Sequence, residues 1–405
     1  MSERLIVIGG GQAASTVVAS MRGFGDERPI TVISEETDPP YQRPPLSKGY
    51  LQGKVPRDRL LLRPAAWYRE HDVVLRLEGR VIDIDRDQAR VTLDDGEQLD
   101  YGALVLATGA TPRRLPAAIG GELDGVYVLR SRADSDAIRR RLEQARSLLV
   151  IGGGYIGLEV AASVAGRGCH VMVVEMADRI LQRVAAPETS DFFRDVHRAH
   201  GVDIRESTGL VRLLGEDGRV HGAELDDGTV CDADVVVVGI GVRPNDDLAR
   251  NAGLDTDDGI LVDERCRSSD PAILAAGDCA RFWLDGRRIR LESVQNANDQ
   301  ARAAARALCG REVAYRPVPW FWSDQFDVRL KIAGFSAGYD EVVTRPGRAT
   351  GSLSVWYYRQ GRLIAVDSLT DAASHTIARK LLAAGQSPPP SRVRDTGLEL
   401  KTLFA

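Results

Sequence analysis

Apolar and polar residues follow one arrangement that occurs twice along this chain. In the first copy an apolar run, Leu5 to Ile8, leads into a glycine-rich turn. An apolar helix is predicted near Ser15 to Met21, and a second strand ends in the acidic residue Glu35. This order of strand, glycine turn, helix, strand and acid is typical of a βαβ unit that binds a dinucleotide.

The second copy repeats the same order of elements. An apolar strand at 148–151 leads into a glycine turn and a helix predicted to run through Ala165. The strand that follows ends in Glu175. In both copies the acid lies about 20 residues beyond the glycine turn, which is the spacing at which a carboxylate can accept hydrogen bonds from ribose hydroxyls.

The spacing of small residues in each turn has a physical reason. The first glycine permits a tight turn, the second lets the backbone approach a pyrophosphate, and the third position must be small so that helix and sheet can pack. That third position is Ala14 in the first turn and Gly157 in the second. The free N–H groups and the positive dipole end of each helix favour phosphate. We therefore predict two dinucleotide sites.

Later segments predict further sheet structure. Hairpins with Asp-Gly turns, at 90–96 and 223–228, each precede a strongly apolar strand, at 103–107 and 234–238. After Pro317 the composition changes to aromatic and strand-like runs. The predicted fold class is α/β, with two Rossmann-like dinucleotide-binding domains and an α+β C-terminal domain.

Composition excludes several classes of protein. The 405 residues carry a formal net charge of −5, whereas a general nucleic-acid binder normally has a basic excess. The longest apolar run, at 235–242, is interrupted by glycines and predicts a buried strand rather than a membrane span. The apolar run near the N-terminus is too short for a signal peptide, so we expect a cytoplasmic protein that binds no membrane.

Cysteine and histidine residues offer no metal or redox motif. The five cysteines lack the close spacing of a metal site or a reactive dithiol, and we interpret them as small apolar residues in a reducing compartment. His197 and His200 lie three residues apart on a predicted helix, but no third ligand is near them in sequence. We expect both histidines to be surface residues and no metal to be bound.

Two dinucleotide sites on one chain suggest that two dinucleotides meet. The simplest chemistry for such a pair is a hydride that passes from one ring to the other. The residues alone do not determine which site holds which cofactor.

Seven short segments carry a resemblance to a known family. They are Val7 to Gly11, Arg43 to Lys48, Leu106 to Gly109, Ile151 to Glu159, Gly239 to Gly241, Ala276 to Cys279 and Pro319 to Ser323. In combination they resemble the FAD-dependent pyridine-nucleotide reductases over nearly the whole chain. Within that family the chain resembles the NADH-dependent ferredoxin reductases of cytochrome P450 and other bacterial oxygenase systems.

The resemblance implies FAD on the first βαβ unit and NADH on the second. It places Gly9, Gly11, Ala13 and Ala14 at the FAD pyrophosphate, Glu35 at the adenosine ribose, and Arg43, Lys48, Val81, Ala107, Thr108, Gly109, Arg130, Asp278, Val294 and Trp322 along the rest of FAD. The FAD-binding domain is then discontinuous, at 1–112 and 244–317. The NAD-binding domain lies at 113–243 and the C-terminal domain at 318–405. Asp278 follows an apolar strand, at the end where α/β sheets place ligands.

The resemblance also assigns the NADH site. Its residues are Gly152, Gly154, Tyr155, Ile156, Gly157, Glu175 and Gly241. A carboxylate at 175 accepts bonds from a free 2′-hydroxyl and repels a 2′-phosphate, although Arg179 and Arg183 nearby could accommodate that phosphate. We predict a preference for NADH over NADPH.

The family pattern places catalytic residues beside the flavin. It brings Lys48 and Glu159 together, where an ion pair would position the nicotinamide, and it places Trp322 at the flavin. The alternative for Lys48 and Glu159 is two separate surface charges. Trp320 and Trp322 would cover the outer face of the flavin, or Trp320 would belong to the core of the C-terminal domain.

The electrons need an acceptor other than a dithiol. Disulfide reductases of this superfamily carry paired cysteines early in the chain, whereas this chain has no cysteine before Cys169. The resemblance therefore implies a [2Fe–2S] ferredoxin as partner. Residues 281–316 hold eight arginines and four acids, among them Glu312, and a basic patch including Arg302 could steer an acidic carrier. A solvated helix face with scattered ion pairs is the alternative.

Two other functions remain open at this point. One is a rubredoxin reductase or a diaphorase that reduces quinones or dyes. The other is an FAD- and NADH-binding interaction protein of the apoptosis-inducing-factor type. For the protein itself we expect a monomer or a weak dimer, whichever function it has.

Overall fold

The computed structural model describes residues 3–311 and 314–404. The chain divides into two compact units, and six successive segments alternate between them. The first unit comprises the described parts of segments 1–42, 56–111 and 242–317. The second comprises the described parts of segments 43–55, 112–241 and 318–405.

A five-stranded parallel sheet forms the centre of the first unit. Its strands lie in the order Ile273–Ala275, Ala103–Leu106, Leu5–Ile8, Ile30–Ser34 and Val73–Leu77. The three inner strands are buried at every position. Continuous apolar runs therefore form these strands, because both faces of a parallel sheet are covered.

Helices and short strands complete the first unit. The helices are Gln12–Gly23, Ala65–Glu70, Asp247–Asn251 and Val294–Leu308, with a 3₁₀ helix at Arg57–Leu60. The other strands are Val81–Asp85, Arg90–Leu93, Gln98–Asp100, Ala110–Pro112, Val242–Pro244, Ile260–Leu261, Ala280–Leu284 and Arg287–Ile289. The first and last helices are joined through Asn298, whose side-chain oxygen accepts hydrogen bonds from Gln12 at 2.9 Å and Thr16 at 2.6 Å.

A second parallel sheet lies in the second unit. Its strands lie in the order Asp203–Arg205, His170–Val174, Ser147–Ile151, Val235–Val238 and Val126–Val128. Its helices are Arg132–Leu142, Tyr155–Val164 and Pro187–Ala199, with 3₁₀ helices at Pro44–Ser47 and Ala117–Ile119. Strands Leu210–Glu216, Arg219–Leu225 and Val230–Asp232 form a separate antiparallel sheet.

The C-terminal part of the second unit is an antiparallel sheet with helices. The strand order is Trp320–Gln325, Val328–Gly334, Arg362–Leu369, Leu353–Arg359 and Glu341–Pro346. The helices are Ala372–Ala383 and Pro390–Arg394, with a 3₁₀ helix at Leu400–Leu403. Leu330 and Tyr357 of this sheet share one buried core with Val150 and Leu158 of the parallel sheet and its helix. The two parts of this unit are therefore packed together.

The structure confirms the predicted α/β class, the two Rossmann-like sheets and the α+β C-terminal part. Both βαβ units have the predicted order, and the helix predicted through Ala165 ends at Val164. The apolar run at 235–242 forms a strand only as far as Val238, where Gly239 begins the turn. The division into three domains stays a prediction.

A helix that crosses a bilayer must be both long and apolar. Among the described residues, every helix is too short or too polar to span a membrane.

The tight turn at the second glycine loop generates a stability prediction. A Cβ atom at Gly157 would lie 2.2 Å from the carbonyl oxygen of Gly152 and 3.0 Å from Val150. We expect Gly157→Ala to lower the free energy of unfolding by about 1–3 kcal/mol, the usual cost of overpacking. Thermal unfolding followed by circular dichroism measures this.

Gly154→Ala is the matched control for this prediction. A Cβ at Gly154 meets no atom within 4 Å, and its φ of −81° suits any residue. Equal melting temperatures for the two variants would contradict the packing argument.

Candidate functional site

The glycine turn of the first unit is shaped for close approach of a ligand. Gly9 has a φ of +125°, and a Cβ there would lie 2.1 Å from the carbonyl oxygen of Ala107. Gly11 caps the following helix without a side-chain hydrogen bond, and a Cβ there would meet nothing within 4 Å. The open backbone and the first N–H groups of the helix can therefore bind an anion such as a pyrophosphate.

Several predicted residues of the first unit meet at one edge of its sheet. The N–H of Ala107 donates to Ile8 at 2.8 Å, and that of Ala276 donates to Leu106 at 3.0 Å. Gly9, Ala107 and Asp278 therefore follow the carboxyl ends of three neighbouring parallel strands. Ligands of α/β sheets bind at this edge.

The other predicted residues of the first unit lie on its helices and strands and in the turns after them. Ala13 and Ala14 are buried in the first helix, Glu35 is exposed after its strand, Val81 and Val294 begin a strand and a helix, and Thr108 and Gly109 follow Ala107. Thr108 is fixed by Asn245, because its hydroxyl donates to the Asn245 carbonyl at 2.7 Å and its own carbonyl accepts from the Asn245 amide at 2.9 Å.

The glycine turn of the second unit has the same construction. Gly152 has a φ of +105°, and a Cβ there would lie 2.5 Å from the carbonyl oxygen of Gly239. Gly154 caps the helix that begins with Tyr155 and Ile156, without a side-chain hydrogen bond. Gly241 has a φ of +97° in the turn after the neighbouring strand. This unit therefore also presents an open anion-binding turn.

Glu175 is held in a defined orientation beside the second turn. Its two carboxylate oxygens accept backbone hydrogen bonds from Gly153 and Ala177, each at 2.8 Å. The neighbouring Arg179 donates to Ser190 at 2.6 Å, and Arg183 lies near Gly241. The carboxylate therefore has a fixed direction at the end of its strand.

Lys48 and Glu159 are in contact, as the family resemblance implies. Lys48 Nζ lies 2.6 Å from Glu159 Oε2, with the side chains 20% and 3% exposed. The hydroxyl of Ser47 donates to the same oxygen at 2.6 Å, and the hydroxyl of Ser323 donates to Glu159 Oε1 at 2.7 Å. The interpretation of Lys48 and Glu159 as two separate surface charges is therefore wrong.

Three more predicted residues belong to the second unit. Arg43 donates to the carbonyl of Arg130 at 2.7 Å, so these two residues are adjacent. Trp322 is half-buried, and its ring centroid lies 5.6 Å from that of Trp320. Trp320 is also half-buried, and Arg379 lies over its ring.

The sequence missed the polar residues around Glu159. Ser47 and Ser323 lie 112 and 164 positions from Glu159 along the chain, so spacing could not have identified them. The one sequence signal is that Ser323 and Gln325 are polar residues on the same face of a strand that begins with three aromatic residues.

The prediction that His197 is a surface residue is wrong. His197 is fully buried, and its Nε2 lies 2.8 Å from Gln325 Oε1. Burial lowers its pKa to about 4. The helix Pro187–Ala199 turns His197 towards the C-terminal sheet, whereas His200 is exposed and stacks on Phe326. Three-residue spacing could not distinguish these two environments.

The basic segment is largely paired. Arg302 lies 2.8 Å from Asp299, and Arg290 lies 2.6 Å from Glu292. Glu312 lies outside the described residues. Arg302 is 54% exposed, so it remains accessible to an acidic partner despite its local ion pair.

Known proteins are similar to this chain along nearly its whole length. Residues 3–301 match the family described as pyridine nucleotide-disulphide oxidoreductase, and residues 320–404 match the family described as reductase C-terminal. Rhodocoxin reductase of Rhodococcus erythropolis is 43% identical over 99% of this chain and 94% of its own length. A Sphingobium protein, the ferredoxin reductase subunit of a 5,5'-dehydrodivanillate O-demethylase, is 42% identical over 99% of this chain and 98% of its own.

A solved structure has the same fold throughout. It is the covalent putidaredoxin reductase–putidaredoxin complex, with a TM-score of 0.96 and 39% identity. The match covers 99% of this chain and 98% of that chain.

The buried His197 generates a prediction on pH dependence. The unfolded chain takes up a proton near pH 6.5, whereas the folded protein takes it up only near pH 4. The stabilising contribution of neutral His197 is therefore present above pH 6.5 and is lost as the pH falls towards 4. We expect His197→Gln to reduce the drop in melting temperature between pH 7 and pH 5.

Thermal melts at both pH values measure this effect. Some drop persists in the variant, because burial also lowers the pKa of His375 to about 4. An unchanged drop would show that His197 does not take part in acid destabilisation.

Proposed function

Because the chain belongs to the pyridine nucleotide-disulphide oxidoreductase family, we propose that it oxidises NADH and delivers single electrons to a [2Fe–2S] ferredoxin. FAD, when bound, supplies the ability to accept a hydride as an electron pair and to release the electrons singly. The ferredoxin would then supply a cytochrome P450 or another oxygenase. The observation that carries the proposal is the pair of open glycine turns, one in each unit, each at the start of a helix.

Family membership confirms the resemblance drawn from the sequence. It likewise confirms an oxidoreductase that uses FAD and a pyridine nucleotide.

The first unit fits FAD. The open turn at Gly9 and Gly11 would receive the pyrophosphate, and Glu35 would accept bonds from the adenosine ribose. Asp278 would bind the ribityl hydroxyls from the carboxyl end of its strand. Val81 and Val294 would provide apolar contacts.

The second unit fits NADH. Gly152, Gly154 and Gly157 would hold the pyrophosphate, with Tyr155 and Ile156 at the start of the helix. The fixed carboxylate of Glu175 would accept bonds from the 2′-hydroxyl and would repel a 2′-phosphate. We therefore propose NADH rather than NADPH as the reductant.

Lys48, Glu159 and Trp322 would serve the reaction itself. Glu159 is held by three donors, so it keeps Lys48 in one position, from which the ammonium would orient the nicotinamide. Trp322, on the strand that also carries Ser323, would exclude water from the flavin.

An acidic ferredoxin is the proposed electron acceptor. The exposed Arg302 and its neighbouring arginines would attract it, which makes the reaction dependent on ionic strength. The Sphingobium relative is named as a ferredoxin reductase subunit, and the solved relative is a complex with putidaredoxin. A rubredoxin reductase, a diaphorase and an interaction protein are less favoured alternatives. We propose the cytoplasm as the location, because NADH is supplied there.

A direct experiment tests this function. The purified protein is titrated anaerobically with NADH while flavin absorbance is followed, and a [2Fe–2S] ferredoxin or a rubredoxin is then added. We expect the yellow colour to bleach with NADH and to return with the ferredoxin, more slowly as salt is added. Faster reoxidation by rubredoxin, or no bleaching, would overturn the proposal.

The role of Glu175 in choosing the nucleotide is a separate prediction. We expect Glu175→Gln to lower the ratio of kcat/KM for NADH to kcat/KM for NADPH by about tenfold, because it removes the charge that repels a 2′-phosphate. Steady-state kinetics with both nucleotides measure the ratio. Glu216→Gln, on an exposed strand end of the same unit, is the matched control. A higher kcat/KM for NADPH in the unmodified protein would refute NADH preference.

A further inference from the structure

A chain of buried hydrogen bonds extends from Glu159 into the C-terminal sheet. Ser323 donates to Glu159 Oε1 at 2.7 Å, and the amide nitrogen of Gln325 donates to the Ser323 hydroxyl at 3.1 Å. The amide oxygen of Gln325 lies 2.8 Å from His197 Nε2. All four side chains are buried. The chain therefore joins two helices through one strand.

Each hydrogen bond in this series is donated in the direction of Glu159. An amide oxygen can only accept, so His197 Nε2 must carry the hydrogen that meets Gln325. The Gln325 amide then donates to Ser323, whose single proton is left for the carboxylate. Ser47 and Lys48 donate to the other carboxylate oxygen. Glu159 consequently accepts bonds from three donors.

The other tautomer of His197 would reverse the direction of these hydrogen bonds. A bare Nε2 would require the Gln325 nitrogen to face His197, and the amide oxygen would then face Ser323. The Ser323 proton could satisfy that oxygen instead of Glu159. Nδ1 of His197 has no hydrogen-bond partner among the described residues. A proton on Nδ1 would therefore be a buried donor without an acceptor, which favours the Nε2–H tautomer.

We propose that His197 and Gln325 are positioning residues for hydride transfer: they orient the Ser323 proton towards Glu159 and so hold Lys48 in place. This rests on the proposed function of the Lys48–Glu159 pair. His197 and Gln325 act through Ser323 and do not touch Lys48 themselves.

The first test observes the tautomer directly and needs no turnover. The protein with its FAD bound is labelled with ¹⁵N-histidine, and the His197 signals are assigned by their loss in His197→Phe. We expect nitrogen chemical shifts of a neutral Nε2–H ring at pH 7, with a shift of these signals in Gln325→Leu. The Nδ1–H tautomer, or a mixture of both tautomers, would overturn the proposal. This outcome does not depend on whether NADH is the reductant.

The second test measures the rate of flavin reduction by saturating NADH in a stopped-flow instrument. His197→Phe keeps a ring but removes the donor, and we expect about a fivefold loss of rate, as one buried hydrogen bond is worth. His197→Gln can donate from the same region and should stay within about twofold of the unmodified protein. His200→Phe is the matched control on the exposed end of the same helix and should leave the rate unchanged.

A double-variant cycle separates positioning from a general structural effect. In a Ser323→Ala background the hydrogen-bond connection between His197 and Glu159 is already lost, so His197→Phe should cause no further loss of rate. If His197→Phe does not fold, Gln325→Leu replaces it with the same expectation. The proposal would be refuted if the loss of rate from His197→Phe or Gln325→Leu multiplied with that from Ser323→Ala. It would also be refuted if neither His197→Phe nor Gln325→Leu lowered the rate. Normal reduction of the unmodified protein in the same experiment would leave the proposed function standing.

Discussion

One buried carboxylate connects separate segments of the second unit. Glu159 is 3% exposed on the helix that begins at the second glycine turn. Removing a charge from water costs on the order of several kcal/mol unless hydrogen-bond donors replace the lost hydration. Lys48, Ser47 and Ser323 supply them. These donors come from two different stretches of chain, so the charge ties the 43–55 segment and the C-terminal sheet to one helix.

The two glycine turns show how local rules can be read from sequence. In each turn the first glycine has a positive φ, and its missing Cβ leaves room for a carbonyl oxygen of the adjacent strand's turn. Each helix begins without a side-chain cap. All of this depends on residues within a few positions of one another. The strands, the turns and the end of the second helix could therefore be predicted to within about one residue, and the acid after each second strand likewise. The first helix, predicted near Ser15 to Met21, begins at Gln12 and ends at Gly23.

The candidate site depends on longer connections, which the sequence did not reveal. The contact of Lys48 with Glu159 was expected only from family resemblance, and Ser323 and Gln325 were not identified at all. His197 was assigned to the surface because helical spacing alone does not show which face a sheet covers. Tertiary packing decides that face, since the C-terminal sheet arrives more than a hundred residues later in the chain.

The alternation of six segments between two units bears on how the protein is made. A ribosome releases the strand Leu5–Ile8 early, yet its sheet lacks the strand Ile273–Ala275 until two-thirds of the chain has emerged. Segment 43–55 likewise waits for Glu159 and then for Ser323. The first unit has all of its segments only once Pro317 has emerged, and the second only with the C-terminal sheet, so premature termination before Pro317 leaves both without part of their structure.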